Sequence, residues 1–279
     1  MGTLFIVATP IGNLKDITYR AVETLNKVNL ILSENTRISK ILLRKYNIST
    51  RLISYNDHNH KKKIINILNL LKTSDIALIT DAGTPGISDP AAQLVYEARK
   101  IGININAIPG ASALSAAISI SGLKSNQFSF IGFAPKKKSQ RKKMFLKIIQ
   151  TNAIVMFESP HRIIELIKSI DDIFTECNII LFKELTKIHE SVYVGTPTEI
   201  LKKLSNPKGE YVLILETGAE NSQKDPQILS QEIKKFILQG LTGKDIVKKI
   251  SSSKGLPKKK IYELYLKEKN FKHKNLIRK

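Results

Sequence analysis

The chain opens on the apolar run Leu4-Phe5-Ile6-Val7-Ala8, which has the length and composition of a strand, and turns at Pro10-Ile11-Gly12-Asn13. Asp16 to Leu25 then spaces its apolar positions with helical period. Val28 to Ser33 and Arg51 to Tyr55 read as second and third strands, and Lys61 to Lys72 as a helix with a basic start. Ile76-Ala77-Leu78-Ile79-Thr80 is nearly all apolar, the pattern of a strand covered on both faces of a parallel sheet. Asp89 suits a helix N-cap and Pro90 the first helical position, which predicts a helix running to about Lys100. Ile103 to Ile108 is a further strand, ended by Pro109-Gly110, and the Ala- and Ser-rich segment from Ser112 to Ser121 reads as a closely packed helix. Strands alternating with helices predict an α/β fold.

A linker falls at Gly122 to Gln127, after which Phe128 to Phe133 starts a second α/β unit. Its strands are predicted at Ala153–Phe157, Ile179–Phe182, Ser191–Val194 and Tyr211–Leu215, with helices at His161–Phe174 and Thr198–Leu204. The remainder differs. Leu229 to Gln239 reads as a helix, a short helix opens near Leu241 and runs to Ile250, and Ser251 to Pro257 reads as a turn before a basic helix from Lys258 to Lys267. This pattern is similar to a helix-turn-helix module. Glu268 to Lys279 is so charged that a frayed tail is expected. The expected division is 1–122, 123–222 and 223–279.

Charge adds a partner class. Lys and Arg number 45 against 24 Asp and Glu, a net charge of +21, which attracts polyanions such as nucleic acid. A generally basic composition gives the same excess without a partner, so the location of the charge matters. The densest run, Lys136 to Lys143, follows Phe133-Ala134-Pro135; a second surrounds Lys258-Lys259-Lys260. The single cysteine, Cys177, excludes a disulfide framework within the chain and a cysteine-cluster metal site, and reads as a packing residue. No segment approaches the roughly 20 apolar residues of a membrane span, and the amino terminus enters a strand without a signal-like leader. A cytoplasmic protein that is not membrane-embedded is expected.

The most informative segment is the turn Asp81-Ala82-Gly83-Thr84-Pro85-Gly86-Ile87-Ser88-Asp89-Pro90, set between a buried strand and a capped helix. Open α/β sheets bind ligands at the carboxyl ends of their strands, and two glycines permit close approach of the backbone. Thr9 to Leu14 and Pro109 to Ala113 are further turns of small and polar residues after strands; together the three would line one crevice. Neither G-x-G-x-x-G nor G-x-x-x-x-G-K-[ST] occurs, which weighs against dinucleotide and P-loop readings. His58 and His60 would share a face on a strand, but no third ligand is evident, and no metal is expected.

Seven motifs occur in order: Val7 to Leu14, Ser33 to Arg37, Asp57-His58-Asn59, Asp81 to Pro85, Pro109 to Ala113, Glu158-Ser159-Pro160-His161-Arg162 and Lys183-Glu184-Leu185-Thr186-Lys187. In this the chain resembles the small-subunit (16S) ribosomal RNA cytidine-2′-O-methyltransferase family of the tetrapyrrole-methylase superfamily, over about residues 3 to 217, and the tail resembles that family's C-terminal helix-turn-helix piece. The resemblance implies two α/β domains, S-adenosylmethionine in the cleft between them, a homodimer, and a cytidine ribose of the small-subunit RNA as substrate. It implies cofactor contacts from Asp81, Ala82, Gly83, Thr84 and Pro85, from Ser112 and Ala113, from the strand end Met156-Phe157, and from Leu185. The chain departs from the family pattern at Asn35, His60 and Lys183, where Asp, Glu and Arg are expected.

Elementary chemistry names further candidates. A ribose hydroxyl attacks a sulfonium methyl well only as it loses its proton, so positioning should be joined by a base: Glu34, Glu184 or a Lys183 of lowered pKa. Glu184 and Lys183 can equally pair with opposite charges at the domain junction. For RNA the candidates are Asn13, Arg37, His58, Lys136, Lys137, Arg141, Lys142 and Arg162, the last able to hold either a phosphate or a carboxylate. Two rival readings stand beside this one: a methylase acting on a small tetrapyrrole, which needs neither basic run nor tail, and a non-catalytic RNA-binding ribosome assembly factor.

Overall fold

The computed structural model describes residues 1–89, 91–123, 125–148, 152–174, 176–217, 226–254 and 258–276. Its first sheet is built from β1 (Thr3–Val7), β2 (Leu30–Ser33), β3 (Leu52–Ser54), β4 (Ile76–Ile79) and β5 (Asn104–Ile108), in the order β3-β2-β4-β1-β5 with all pairings parallel. Helices α1 (Tyr19–Lys27) and α2 (Thr36–Lys45) cover one face through Ala21, Leu25 and Leu43; α3 (His60–Leu71) and α4 (Ala91–Lys100) cover the other through Ile64, Ile67, Leu71, Leu94 and Ala98. Burial on both sides is why β4 is apolar throughout, each fully buried aliphatic side chain contributing about 1.5–3 kcal/mol.

Helix α2 is not among the elements expected from the sequence, although Ser39, Leu42 and Leu43 bury one face of it and the Asn35 side chain accepts the Arg37 amide at 3.0 Å. That hydrogen bond gives a physical account of one departure from the family pattern, because Asn caps a helix as well as Asp does. His58 and His60 lie on no strand: His60 begins α3 with its ring nitrogen 3.0 Å from the Asp57 carbonyl. Asp89 accepts the amides of Gly86 and Ala91, both at 2.8 Å, just before α4; Pro90 lies outside the described residues.

The second sheet holds β6 (Ser129–Phe133), β7 (Ala153–Glu158), β8 (Asn178–Lys183), β9 (Ser191–Gly195) and β10 (Tyr211–Glu216) in the order β6-β7-β10-β8-β9. It is mixed: β6 runs parallel to β7 and the other pairings are antiparallel. Between the two sheets in the chain comes α5 (Ala113–Ser121). Helices α6 (Lys138–Ile148), α7 (Ile163–Asp171) and α8 (Pro197–Lys203) pack on one face of the second sheet through Phe145, Leu166, Ile167 and Ile200, with Cys177 against the same core. Burial pushes the Cys177 thiol up to about 11, aided by Asp171, so it stays protonated, as befits a packing residue. The opposite face, made by Val155, Ile180, Phe182, Val212 and Ile214, packs against α5, with Ile11 and Leu185 in the same cluster. Thus α5, which follows the last strand of the first sheet, is a wall of the second, and its small residues allow the close approach.

The basic run is not a solvated stretch along its whole length, because most of it lies in α6. Its inward-facing position is Arg141, only 3% exposed, whose guanidinium donates to Ser169 Oγ at 3.2 Å and to the carbonyls of Lys136 at 2.8 Å and Pro135 at 3.3 Å. Arg141 is therefore removed from the RNA candidates: its donors are spent inside. The tail comprises α9 (Pro226–Leu238), α10 (Gly243–Lys254) and α11 (Lys258–Leu276), which share a core of Leu229, Ile233, Ile246, Ile250 and Ile261. The expected fraying from Glu268 is not found as far as Leu276; the Glu268 carboxylate pairs with Lys234 at 3.1 Å, tying α11 to α9. Residues 277–279 lie outside the described residues.

Candidate active site

Strands β4, β1 and β5 are neighbours in the first sheet, so the turns that follow them emerge side by side. Hydrogen bonds tie them together. Thr9 and Gly83 exchange backbone bonds at 2.9 and 3.0 Å, and Thr84 Oγ1 donates to the Ala111 carbonyl at 3.1 Å. The turn after β2 joins them: Asn35 donates its amide to Asp81 Oδ1 at 3.0 Å, and Thr80 Oγ1 donates to Glu34 Oε2 at 2.8 Å. Gly83 holds φ of +80°, and a Cβ there would lie 3.2 Å from Ile11 Cγ2, so glycine is required for the loop-to-loop bridge itself.

These turns face one edge of the second sheet across a cavity of about 490 Å³. From the first half the walls are Ile11, Glu34, Thr80 to Thr84, Ile87 to Asp89, Ser112 and Ala113. The second half contributes Phe133, Phe157 to Pro160, Phe182, Leu185 and Glu210 to Val212. The halves approach closely where Gly12 meets the turn after β8: a Cβ on Gly12 would overlap Lys187 Cγ and lie 3.1 Å from the Leu185 carbonyl, and the Asn13 amide donates to Thr186 Oγ1 at 3.1 Å.

The cavity is acidic within a strongly basic chain. Glu34, Asp81, Asp89, Glu158 and Glu210 all line it. Burial, reinforced by the Glu34 charge, raises Asp81 to about 6 against the opposing Asn35 amide. Burial also pushes Asp89 up. Glu158, 2% exposed, is raised by burial although Ser159 donates its amide at 2.9 Å and the Arg162 guanidinium lies 3.2 Å away. A concave pocket holding several carboxylates of raised proton affinity is chemically distinctive, and it favours a cationic guest.

The sequence-derived candidates separate. Glu34, Asp81, Ala82, Gly83, Thr84, Ser112, Ala113, Phe157 and Leu185 line the cavity; Pro85 and Met156 do not. Strand alternation accounts for Met156, which enters the core on the helix-covered face of the second sheet while Phe157 turns to the cavity. Lys183 lies on the same side of β8 as Leu181, opposite the cavity-lining Phe182. Glu184 is engaged elsewhere: its Oε1 accepts Lys187 Nζ at 2.9 Å and the Glu210 amide at 2.8 Å. Burial opposes its charge, but those two donors outweigh burial and hold the carboxyl below its usual range, the opposite of what a base needs. For Glu184 the geometry thus favours the structural alternative, while Lys183 does not line the cavity. The same turn carries positive φ at Glu184 (55°) and at the β-branched Thr186 (66°), a backbone that L residues rarely adopt.

Among the RNA candidates, Asn13, Arg37, His58, Lys136, Lys137 and Lys142 are exposed. Arg162 takes the carboxylate alternative, pairing with Glu158 and donating to the Ala134 carbonyl. The cavity also gains residues that sequence reasoning does not single out: Phe182, Glu210 and Tyr211. No local motif marks them, since only the packing of β8 and β10 against the first half turns them inward. Glu158 differs from these, because it opens the motif running to Arg162 and its place at a strand end is the signal that could find it.

Residues 3–201 match the model of the family described as Tetrapyrrole (Corrin/Porphyrin) Methylases. The chain is 38% identical, over 96% of both chains, to "Ribosomal RNA small subunit methyltransferase I" of Halalkalibacterium halodurans. It is 40% identical to the protein of that name in Buchnera aphidicola subsp. Schizaphis graminum, over 96% of this chain and 97% of the other, and 41% identical to that of Thermotoga maritima, over 77% and 98%. Among solved structures, diphthine synthase superposes with a TM-score of 0.61 at 14% identity, covering 78% of this chain and 90% of that one. Uroporphyrin-III-C-methyltransferase from Thermus thermophilus superposes with a TM-score of 0.56, also at 14% identity, over 78% and 96%.

Proposed function

Since the chain belongs to the tetrapyrrole methylase family, and within it stands with the ribosomal RNA small subunit methyltransferases I, we propose that it transfers a methyl group from S-adenosylmethionine to RNA of the small ribosomal subunit, at the 2′-oxygen of a cytidine ribose. The observation that carries this reading is the acidic, partly apolar cleft between two sheets in a chain of net charge +21. A small tetrapyrrole requires no basic exterior, whereas a polyanionic substrate gains affinity from one.

The lining suits the cofactor. When bound, S-adenosylmethionine supplies a methyl on a positively charged sulfur, open to in-line attack by an oxygen. Asp81 offers negative charge to the cationic part of such a guest, while Ile11, Phe157, Leu185 and Val212 give apolar surface to the rest. Ala82 and Gly83 present backbone rather than bulk. Glu34, steadied by Thr80 Oγ1, is the carboxylate assigned to the ribose proton, since Glu184 is committed to Lys187. Lys136, Lys137 and Lys142 hold the RNA backbone, which gives affinity and orientation without selecting a base.

The test incubates the purified chain with methyl-labelled S-adenosylmethionine and either small subunits or free small-subunit RNA, followed by digestion to nucleosides. Label in 2′-O-methylcytidine is the expected result. RNA binding without transfer would instead support an assembly factor, and label entering only an added tetrapyrrole would overturn the RNA reading. Sedimentation of the same sample tests the homodimer that the family resemblance implies.

A further inference from the structure

One aromatic side chain at the mouth of the cleft leaves much of its ring open to solvent. Phe133, at the end of β6, is 52% exposed, yet it lines both the main cavity and an adjoining groove formed with Ile87, Ser88, Phe130, Ile131 and Gly132. Its orientation is imposed by the backbone. Phe130 pairs with Val155 and Phe133 with Phe157, so three steps on β6 answer two on β7 and a bulge lies between, where Gly132 takes φ of +63°. Strict alternation would send Phe130 and Phe133 to opposite faces; the extra residue brings both to the same side. Both rings meet Phe157 edge-on, at centroid distances of 5.0 and 6.0 Å. Bulges commonly re-aim a side chain beside a site in this way. Ile87, 38% exposed, stands on the opposite, first-half side of the groove.

We infer that Phe133 is the platform on which the base of the target nucleotide stacks, with Ile87 bounding the groove, so that the attached ribose reaches into the cleft. This rests on the RNA methyltransferase reading. A ribose held within stacked RNA cannot enter a cavity between two domains, so its nucleotide must be splayed out, and an unstacked base recovers stability on an exposed ring. The chain continues from Phe133 through Ala134 and Pro135 to the exposed Lys136 and Lys137, with Lys142 and Lys143 exposed further along α6. An aromatic face flanked by cations is the combination that binds single-stranded nucleic acid, because each base has a stacking face and each linkage a charge. Phe133 is therefore a substrate-positioning residue.

The chain contains no tryptophan, so Phe133→Trp introduces a single indole reporter. Its fluorescence should be quenched by small-subunit RNA and not by S-adenosylmethionine alone. In methyl-transfer assays Phe133→Leu should lose roughly ten- to a hundredfold in kcat/KM for RNA, with cofactor affinity by calorimetry unchanged, whereas Phe133→Tyr retains activity. Wild-type activity in Phe133→Leu, absence of quenching by RNA, or a parallel loss of cofactor affinity would each overturn the stacking assignment. These outcomes are distinct from failure of the wild-type chain to label RNA at all, which would remove the methyltransferase reading on which the inference rests.

Discussion

Asp81 shows how a single residue can serve a site at the expense of stability. Its carboxyl is raised from 3.8 to about 6, so between those values the folded chain holds a proton that the unfolded chain has released. Stability then falls as pH rises through this window, and above about 6 the folded state carries the full cost of the buried charge. Asp81→Asn keeps an acceptor for the Asn35 amide while removing the charge. It should raise Tm at neutral pH, flatten the dependence of Tm on pH between about 4 and 6, and abolish cofactor binding in calorimetry. In the unsubstituted protein, cofactor affinity should weaken as pH drops below about 6. Gly83 makes the complementary case. Gly83→Val forces a β-branched side chain to φ of +80° against Ile11, so the bridge to Thr9 should open, with a destabilisation of about 2 kcal/mol in denaturant titrations and loss of cofactor binding.

Helix α6 shows that a charge run is divided by the element that carries it. The residues from Lys136 to Lys143 look much alike in the sequence, but helical geometry turns Arg141 into the core and leaves Lys142 and Lys143 outside, with Lys136 and Lys137 exposed just before the helix. The consequences of substitution should divide the same way. Arg141→Ala strands Ser169 and two carbonyls without their donor and should cost about 2–3 kcal/mol in chemical denaturation. Replacing the four lysines by Ala should leave stability and cofactor affinity intact while lowering the salt dependence of RNA binding, by about 0.7 in log–log slope for each phosphate that is no longer neutralised. An unchanged slope would assign those lysines to solvent alone. At this scale the sequence is legible where periodicity is strong: every strand is anticipated within a few residues, since apolar runs bounded by turns leave little choice. Helices α2 and α6 and the continuation of α11 past Glu268 are not, because polar or basic positions obscure a narrow apolar stripe or because the element depends on a pairing with another helix.

At the scale of the whole molecule, the candidate site forms where the two halves meet. Gly12 sits at that junction, under Leu185, Thr186 and Lys187, with no room for a Cβ. Gly12→Val should push the turns apart. Far-ultraviolet circular dichroism should be retained, since each sheet keeps its own core, while cofactor affinity falls by an order of magnitude or more; preserved affinity would show that the turn after β8 is not part of the site. The strained backbone at Glu184 and Thr186 belongs to the same junction. There Lys187 links the Glu184 and Glu210 carboxylates at 2.9 Å each, and that pairing converts a candidate base into a strut.

What the sequence determined by itself was local: the α/β alternation, the small-residue turns after β1, β4 and β5, and the basic exterior. Each follows from periodicity, turn chemistry or composition, properties that neighbouring residues express on their own. Tertiary structure alone decided which of those residues act together. Strand order brought the three turns side by side, alternation sent Phe157 toward the cleft and Met156 away from it, and a bulge turned Phe133 toward the cleft as well. Carboxylate proton affinities were likewise set by tertiary packing, because burial and many of the partners depend on residues remote in the chain, as where Asp81 meets Glu34 and Glu184 accepts the Glu210 amide.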